Sequence, residues 1–289
     1  MKGDWTMRQA LFCLVGSCCA TLIIGLTGIH FWNKLRHERL RSEKYQIRAI
    51  IQTGPEKEAL KTLYLAELLG LSSDQPQQLY ALNVQQAEKA LKSSPLIADA
   101  KVKRMPPSTL YIDYEVRKPV AWLADFKNTA VDAKGHVFPV APFLSPKRMP
   151  EIYLGSPSIE GWRVEGPAFS LAMEIFQFLE KAPWTEGLII QRIDVSNAFA
   201  PSLGMREVVV ITEEEVTLRK GAGELVCVFP KILRLAPKDY QQQLGHFFSL
   251  RRSMMEDYKR QLATIQVGGR FAPRIIDLRI PQLAFVEKS

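Results

Sequence analysis

The sequence predicts an α+β protein in three parts. These are an N-terminal transmembrane helix, a small unit in the order β-α-α-β-β, and a second mixed domain built on an antiparallel sheet. Three observations carry the prediction. Residues 11–32 contain no formally charged side chain. Residues 45–118 alternate strand-like and helix-like apolar spacings in the stated order. Beyond Pro119, short apolar pieces are punctuated by Asp132, Gly135, Pro139, Pro142 and Pro150, and two long helical patterns follow. The expected division is a cytoplasmic tail at 1–10, the span at 11–32, a stalk at 33–44, a first domain at 45–118 and a second at 119–289.

As a helix, residues 11–32 are about 33 Å long, enough to cross a hydrocarbon core of about 30 Å. Trp5 and Trp32 lie near its two ends, where an interfacial aromatic belt places them. A cleaved signal peptide needs a shorter apolar core and a small-residue cleavage site. A lipoprotein signal is legible at Val15-Gly16-Ser17-Cys18, but the apolar run continues a dozen residues past Cys18. The spanning anchor is therefore the reading adopted. Cys13, Cys18 and Cys19 fall within it, so Cys227 has no partner for a disulfide in the rest of the chain and reads as a small buried hydrophobe.

The charged residues 33–44 extend the helix a few turns beyond the membrane. Residues 45–51 alternate as a strand with Ile47, Ala49 and Ile51 on one face, and Thr53-Gly54-Pro55 ends it. Over 57–69, Leu60, Leu63, Tyr64 and Leu68 share a helical face, and Gly70 stops the helix. Asn83 with Gln86 forms a capping box for a helix burying Val84, Ala87 and Leu91. Residues 98–104 and 110–116 read as strands, the second with Leu110, Ile112, Tyr114 and Val116 on one face. Residues 120–154 read as hairpins. Pro167 opens a helix to residue 181, as proline at a first turn allows. Strands are expected at 190–195, 206–212 and 215–219, with Glu213-Glu214-Glu215 as a solvated hairpin tip and 221–223 as a turn. A helix follows at 240–262, using Tyr240, Leu244, Phe247, Phe248, Met255, Tyr258 and Leu262. Residues 274–280 and 283–286 are the last strands.

The chain has a net charge of +8, which a global reading would take as a nucleic-acid signal. Its distribution argues otherwise. Residues 33–52 hold Lys34, Arg36, Arg39, Arg41, Lys44 and Arg48 against Glu38 and Glu43. Residues 217–289 carry the other excess, and 53–216 are mildly acidic. With little aromatic interleaving and a membrane anchor, no nucleic-acid partner is expected. Catalytic signals are equally sparse. His30, His37, His136 and His246 are far apart, and no zinc, Walker or nucleophile-elbow motif occurs. Asp132 to Gly135 spells a turn, and Gly268-Gly269 another. No catalytic residue, metal or cofactor is expected.

The order β-α-α-β-β behind one anchor resembles the polypeptide-transport-associated (POTRA) module of the FtsQ/DivIB cell-division family. Ile47 to Gly54 is similar to its opening strand and glycine, and Leu82-Asn83-Val84 through Leu91 to its second helix. Ser94-Pro95-Leu96-Ile97-Ala98-Asp99-Ala100-Lys101-Val102-Lys103-Arg104 resembles its proline-apolar-x-x-Ala-x-Val-basic string, continued by Pro107-Ser108-Thr109-Leu110. Glu115-Val116-Arg117-Lys118-Pro119-Val120-Ala121-Trp122 is similar to its junction, with one extra residue between Glu and Arg. Val131-Asp132-Ala133-Lys134-Gly135-His136-Val137-Phe138 resembles its Asp-x-x-Gly-x-x-Phe hairpin. Met149-Pro150-Glu151-Ile152-Tyr153-Leu154-Gly155 resembles its Leu-Pro-x-Leu-x-Gly string, and Ile276-Asp277-Leu278-Arg279 a terminal strand. Pro281 and a short tail depart from the pattern.

The resemblance implies a non-enzymatic divisome scaffold in the inner membrane, single-pass type II, with its bulk in the periplasm at the septum. Counting flanking Lys and Arg alone gives the opposite orientation, but large domains translocate largely regardless of charge. It implies FtsB-like and FtsL-like partners captured by strand addition. The expected partner-binding residues are Ile276, Asp277, Leu278, Arg279, Leu283, Ala284, Phe285 and Val286. A recruitment surface is expected on the strand bearing Ile97, Lys101 and Lys103. Two other readings remain at this level: a POTRA protein handling outer-membrane polypeptides, and a membrane-anchored hydrolase.

Overall fold

The computed structural model describes residues 7–72, 74–181, 187–220, 223–262 and 268–287. Trp5, the first six residues of the expected tail and the first two residues of the expected turn at 221–223 lie outside these. Contacts divide the chain into two units, Met1–Glu56 with Leu60–Glu115, and Lys57–Ala59 with Val116–Ser289.

The first unit opens with helix α1 (Met7–Arg41), which carries the expected 33–44 stalk extension as far as Arg41 before a 3-10 turn at Glu43–Tyr45. Its Phe12–Arg41 portion is long and apolar enough to cross a membrane, and none of its most apolar stretch is buried by protein. Hydroxyls in such a helix need local partners, since hydrocarbon offers none. Thr21 Oγ1 donates to the Ser17 carbonyl at 2.6 Å and Thr27 Oγ1 to Ile23 at 2.8 Å.

Strand β1 (Ala49–Thr53) follows, then α2 (Thr62–Leu68), α3 (Val84–Lys92), β2 (Ile97–Met105) and β3 (Thr109–Val116). The expected β-α-α-β-β order is present. Strand β3 lies between β1 and β2, and β1 runs parallel to it. Asn83 caps α3, its side chain accepting from the Gln85 and Gln86 amides at 3.1 and 3.2 Å. The alternation in β3 holds, with Leu110, Ile112, Tyr114 and Val116 all buried. Leu60, Leu65, Leu91 and Leu96 of the same unit are fully buried too, each full burial stabilising by about 1.5–3 kcal/mol. The Leu60 amide donates to the Tyr114 hydroxyl at 2.9 Å. A Cβ at Gly54 would stand 2.6 Å from the Tyr114 ring, so only glycine lets β1 end against that side chain.

Two expectations here need correction. In β1, Ile50 and Gln52 turn inward, while Ala49 and Ile51 face out and Ile47 precedes the strand. The parallel register with β3 fixes the inward face, and apolar alternation alone could not, since both faces carry isoleucine. The first helix is also shorter than 57–69. Leu60 instead enters the core ahead of α2, held by Tyr114, and Leu63 is 70% exposed.

The second unit holds β4 (Ala121–Leu123), β5 (Thr129–Val131), β6 (Val137–Pro139), β7 (Glu151–Tyr153), a small hairpin of β8 (Ile159–Glu160) and β9 (Arg163–Val164), then α4 (Pro167–Lys181). After these come β10 (Leu188–Asp194), β11 (Val208–Lys220), β12 (Gly223–Leu235), α5 (Tyr240–Leu262), β13 (Gly269–Arg270), β14 (Arg274–Asp277) and β15 (Phe285–Glu287). One sheet runs β15-β14-β12-β11-β10-β7-β4-β5-β6, with β13 also paired to β12. It is mixed rather than purely antiparallel, since β7 runs parallel to both β4 and β10, and β12 to both β13 and β14. Helices α4 and α5 contact each other, and their Leu171, Ile175, Leu179, Leu244, Phe247 and Tyr258 join sheet residues Ile152, Ile193, Val210 and Leu233 in one core.

The expected turn at Asp132 to Gly135 holds, whereas Gly268-Gly269 leads straight into β13, where Gly269 pairs with Cys227. Asp132 Oδ1 accepts from the Lys134 and His136 amides, both at 2.8 Å. Gly135 adopts φ +85, and a Cβ there would meet the Val164 carbonyl at 2.4 Å. Around Gly155, the Asp125 carboxylate accepts from the amides of Leu154, Gly155 and Ser156 at 2.9, 2.9 and 2.7 Å. Cys227 is buried in β12, as expected.

The largest correction concerns residues 206–219. They are not two strands around a solvated tip. Strand β11 runs unbroken, paired with β12 along its length, and Glu213 and Glu214 are buried. Each carboxylate meets cations from remote segments. Glu214 pairs with Lys231 of β12 and Arg251 of α5. Glu213 pairs with Arg270 of β13 and accepts from Gln191 Nε2 at 2.9 Å, where β10 shifts register by a bulge. Lys231 is fully buried, its ammonium 5.6 Å from the Tyr258 ring. Burial, with the Arg251 and Arg274 guanidiniums nearby, pushes it down to about 7. Pro230, opposite Glu213, sits where the neighbour of β12 changes from β13 to β14, a place where a missing N–H breaks no ladder.

Candidate partner-binding edge

Strand β15 forms one end of the long sheet. Among the described residues it pairs antiparallel with β14 alone, Ile275 opposite Glu287, Ile276 opposite Val286 and Asp277 opposite Phe285. An end strand presents a row of main-chain donors and acceptors to a further strand. The turn before it holds Gln282 at φ +64, and the Leu283 amide donates to the Ile280 carbonyl at 3.2 Å. Pro281 therefore sits in the turn and does not interrupt the edge.

The predicted residues separate into two groups. Ile276 and Leu278 are buried and belong to the core, so they hold the edge and do not face a partner. Leu283 and Phe285 are 56% and 58% exposed, Val286 is 39% exposed, and Ala284 is exposed too. Ile280, which the sequence did not single out as a site residue, joins this apolar surface. Asp277 and Arg279 act beneath it. Arg279 Nη2 pairs with Asp277 Oδ2 at 2.7 Å and Nη1 with Glu207 Oε2 at 3.4 Å, while Arg234 Nη2 reaches Glu207 at 2.6 Å and Nη1 reaches Asp277 at 3.4 Å. This network ties β14 to β12 and to the segment before β11. Glu207 and Arg234 gave no signal in the sequence because both lie more than forty residues from Asp277.

The Arg279 guanidinium beside Asp277 holds its carboxyl below the usual carboxylate range. A depressed folded-state pKa contributes stability that is present above the ordinary value of about 3.9 and lost as pH falls through the lower one. Asp277→Asn should therefore lower the melting temperature at pH 7. The difference from wild type should shrink as thermal scans approach pH 3, and a constant difference would remove the network from the argument.

In the first unit, β2 is an end strand as well. Lys101 and Lys103 face solvent, but Ile97 is 2% exposed and belongs to the core. Ala100 and Val102 are buried on the inward set, and Ile97, three and five positions away and of the opposite parity, is buried at the start of the strand. The edge is partly covered, since Glu88 of α3 accepts from the Val102 amide at 3.0 Å. Among the described residues there is no group of three or more His, Cys, Asp or Glu side chains placed to hold a metal ion.

An apolar N-terminal helix followed by a β-α-α-β-β unit and a mixed sheet with an exposed end strand defines a membrane-anchored protein of the POTRA class. Residues 47–114 match the family described as POTRA domain, FtsQ-type. With the N-terminal apolar helix, this match supports an FtsQ/DivIB-like protein. A comparison with curated proteins returns no match. The FtsQ-type POTRA family is one of cell-division scaffolds, generally without enzymatic activity.

Proposed function

We propose that this protein is a non-enzymatic, bitopic divisome scaffold that links septal division proteins through its extracytoplasmic units. The observation that supports it is the exposed apolar end strand β15 in a chain with an FtsQ-type POTRA domain. Main-chain hydrogen bonds along β15 would supply affinity for an added strand, and Leu283, Phe285 and Val286 its side-chain selectivity. The partners are FtsB-like and FtsL-like proteins. Asp277 and Arg279 position the edge, and Ile276 and Leu278 anchor it in the core. Lys101 and Lys103 on β2 form a second recruitment surface. The orientation is type II, with the chain beyond the span in the periplasm and the protein concentrated at the septum.

Depletion in the native cell tests this reading. Blocked septation, with a tagged copy at the division site, is the expected result. Normal septation with loss of outer-membrane proteins would instead identify a polypeptide-handling POTRA protein. A reporter fused after Ser289 should be active only in its periplasmic form.

A further inference from the structure

Within the first unit, a groove of about 700 Å³ is lined by Trp32, Leu35, Arg36 and Arg39 at the end of α1 and by Tyr80 and Arg104 among others. We propose that it binds the headgroup of one anionic phospholipid. The reasoning starts from depth. Trp32 closes the uncharged run, and Arg36 and Arg39 lie about 6 and 10 Å farther along the helix axis. The headgroup layer is roughly 5–8 Å thick on each side of the core. The two guanidiniums thus stand at and just beyond lipid phosphate level, with Trp32 and Leu35 at the acyl boundary.

Charge and preorganisation point the same way. The lining includes three arginines and no Asp or Glu. Arg39 lies over the Tyr80 ring, 5.3 Å from its centroid, and Arg104 donates to the Leu82 carbonyl at 2.5 Å. These contacts fix two planar forks without neutralising them, as bidentate recognition of phosphate requires. Arg104 comes from β2, distant in sequence from α1, so the site is more than a basic juxtamembrane run. A lipid held here would join the end of α1 to β2 within the first unit.

The test uses the full chain in neutral detergent, with native mass spectrometry of retained lipid during titration with phosphatidylglycerol or phosphatidylcholine. One phosphatidylglycerol should be retained in preference to phosphatidylcholine. Arg36→Gln and Arg104→Gln should each weaken it about fivefold, and Arg41→Gln, outside the groove, by less than about twofold. Arg104→Lys should keep part of the affinity, and Arg36→Gln alters an exposed helix position that folding does not need. Equal losses for Arg41→Gln and Arg104→Gln would reduce the effect to diffuse charge and overturn the site. Equal retention of phosphatidylcholine would overturn it too. Full displacement by millimolar inorganic phosphate would show a free-anion site and overturn the lipid assignment.

Discussion

Glu214→Gln is expected to destabilise the second unit by about 3–5 kcal/mol, the usual cost of removing one partner from a buried ion pair. For a unit of this size that corresponds to a fall in melting temperature of roughly 6–20 °C. Glu214 is the carboxylate against which Lys231 is buried, and it also holds Arg251. Its loss leaves a fully buried ammonium without its carboxylate partner and with two guanidiniums nearby. The effect should depend on pH with a definite sign. Lys231 titrates near 7 in the folded chain against about 10.4 when unfolded. Between those values the unfolded chain binds the extra proton, so stability rises with pH across the window. The Glu214→Gln penalty should therefore be largest below pH 7 and smaller at pH 9, where Lys231 is neutral without its partner. Thermal melts of the full chain at pH 6 and pH 9 decide it. Equal penalties at both would show that the loss comes from packing and not from charge.

That cluster also shows where sequence reasoning stops. Three consecutive glutamates read as a turn because local hydropathy drops there. Nothing within ten residues announces Lys231, Arg251 or Arg270, which arrive from β12, α5 and β13. Burial of charge is a long-range property, and periodicity does not carry it. Local signals fared better wherever one residue fixes one geometry. Asn83 caps α3, Pro167 opens α4, and the strict alternation of β3 fills the first core. In β1, both faces carry isoleucine, so the choice of inward face fell to pairing with β3.

The site was legible in part for the same reason. Leu283, Phe285 and Val286 were legible as part of a last short strand, but Pro281 read only as a departure from the family pattern, and the turn it occupies came from the fold. Which side of that strand is open depends on sheet order, which only the fold supplies. The lipid groove lies further out of reach. Arg36 and Arg39 are visible as a basic run, but Tyr80 and Arg104 join them only in three dimensions.

Phe285→Asp is expected to reduce capture of an FtsB-like partner at least tenfold while leaving the fold intact. Phe285 is more than half exposed and lies on an end strand. Substitutions at such surface positions usually change stability by no more than about 0.5 kcal/mol. A buried aromatic anchor at an interface is commonly worth about 2 kcal/mol or more, and tenfold in affinity needs only about 1.4 kcal/mol. The new carboxylate would also stand opposite Asp277, and like charges across a strand pair are destabilising. Phe285→Ser separates the two effects. It removes the aromatic surface without adding charge, so it should lose most of the same affinity and show no melting shift. Titration of both variants against the full-length partner, beside circular dichroism melts, reads affinity and fold together. Undiminished capture by Phe285→Ser and Phe285→Asp would take β15 out of the interface. Loss in Phe285→Asp alone, with a lowered melting temperature, would mean that the edge had come apart and that Phe285 itself makes no contact.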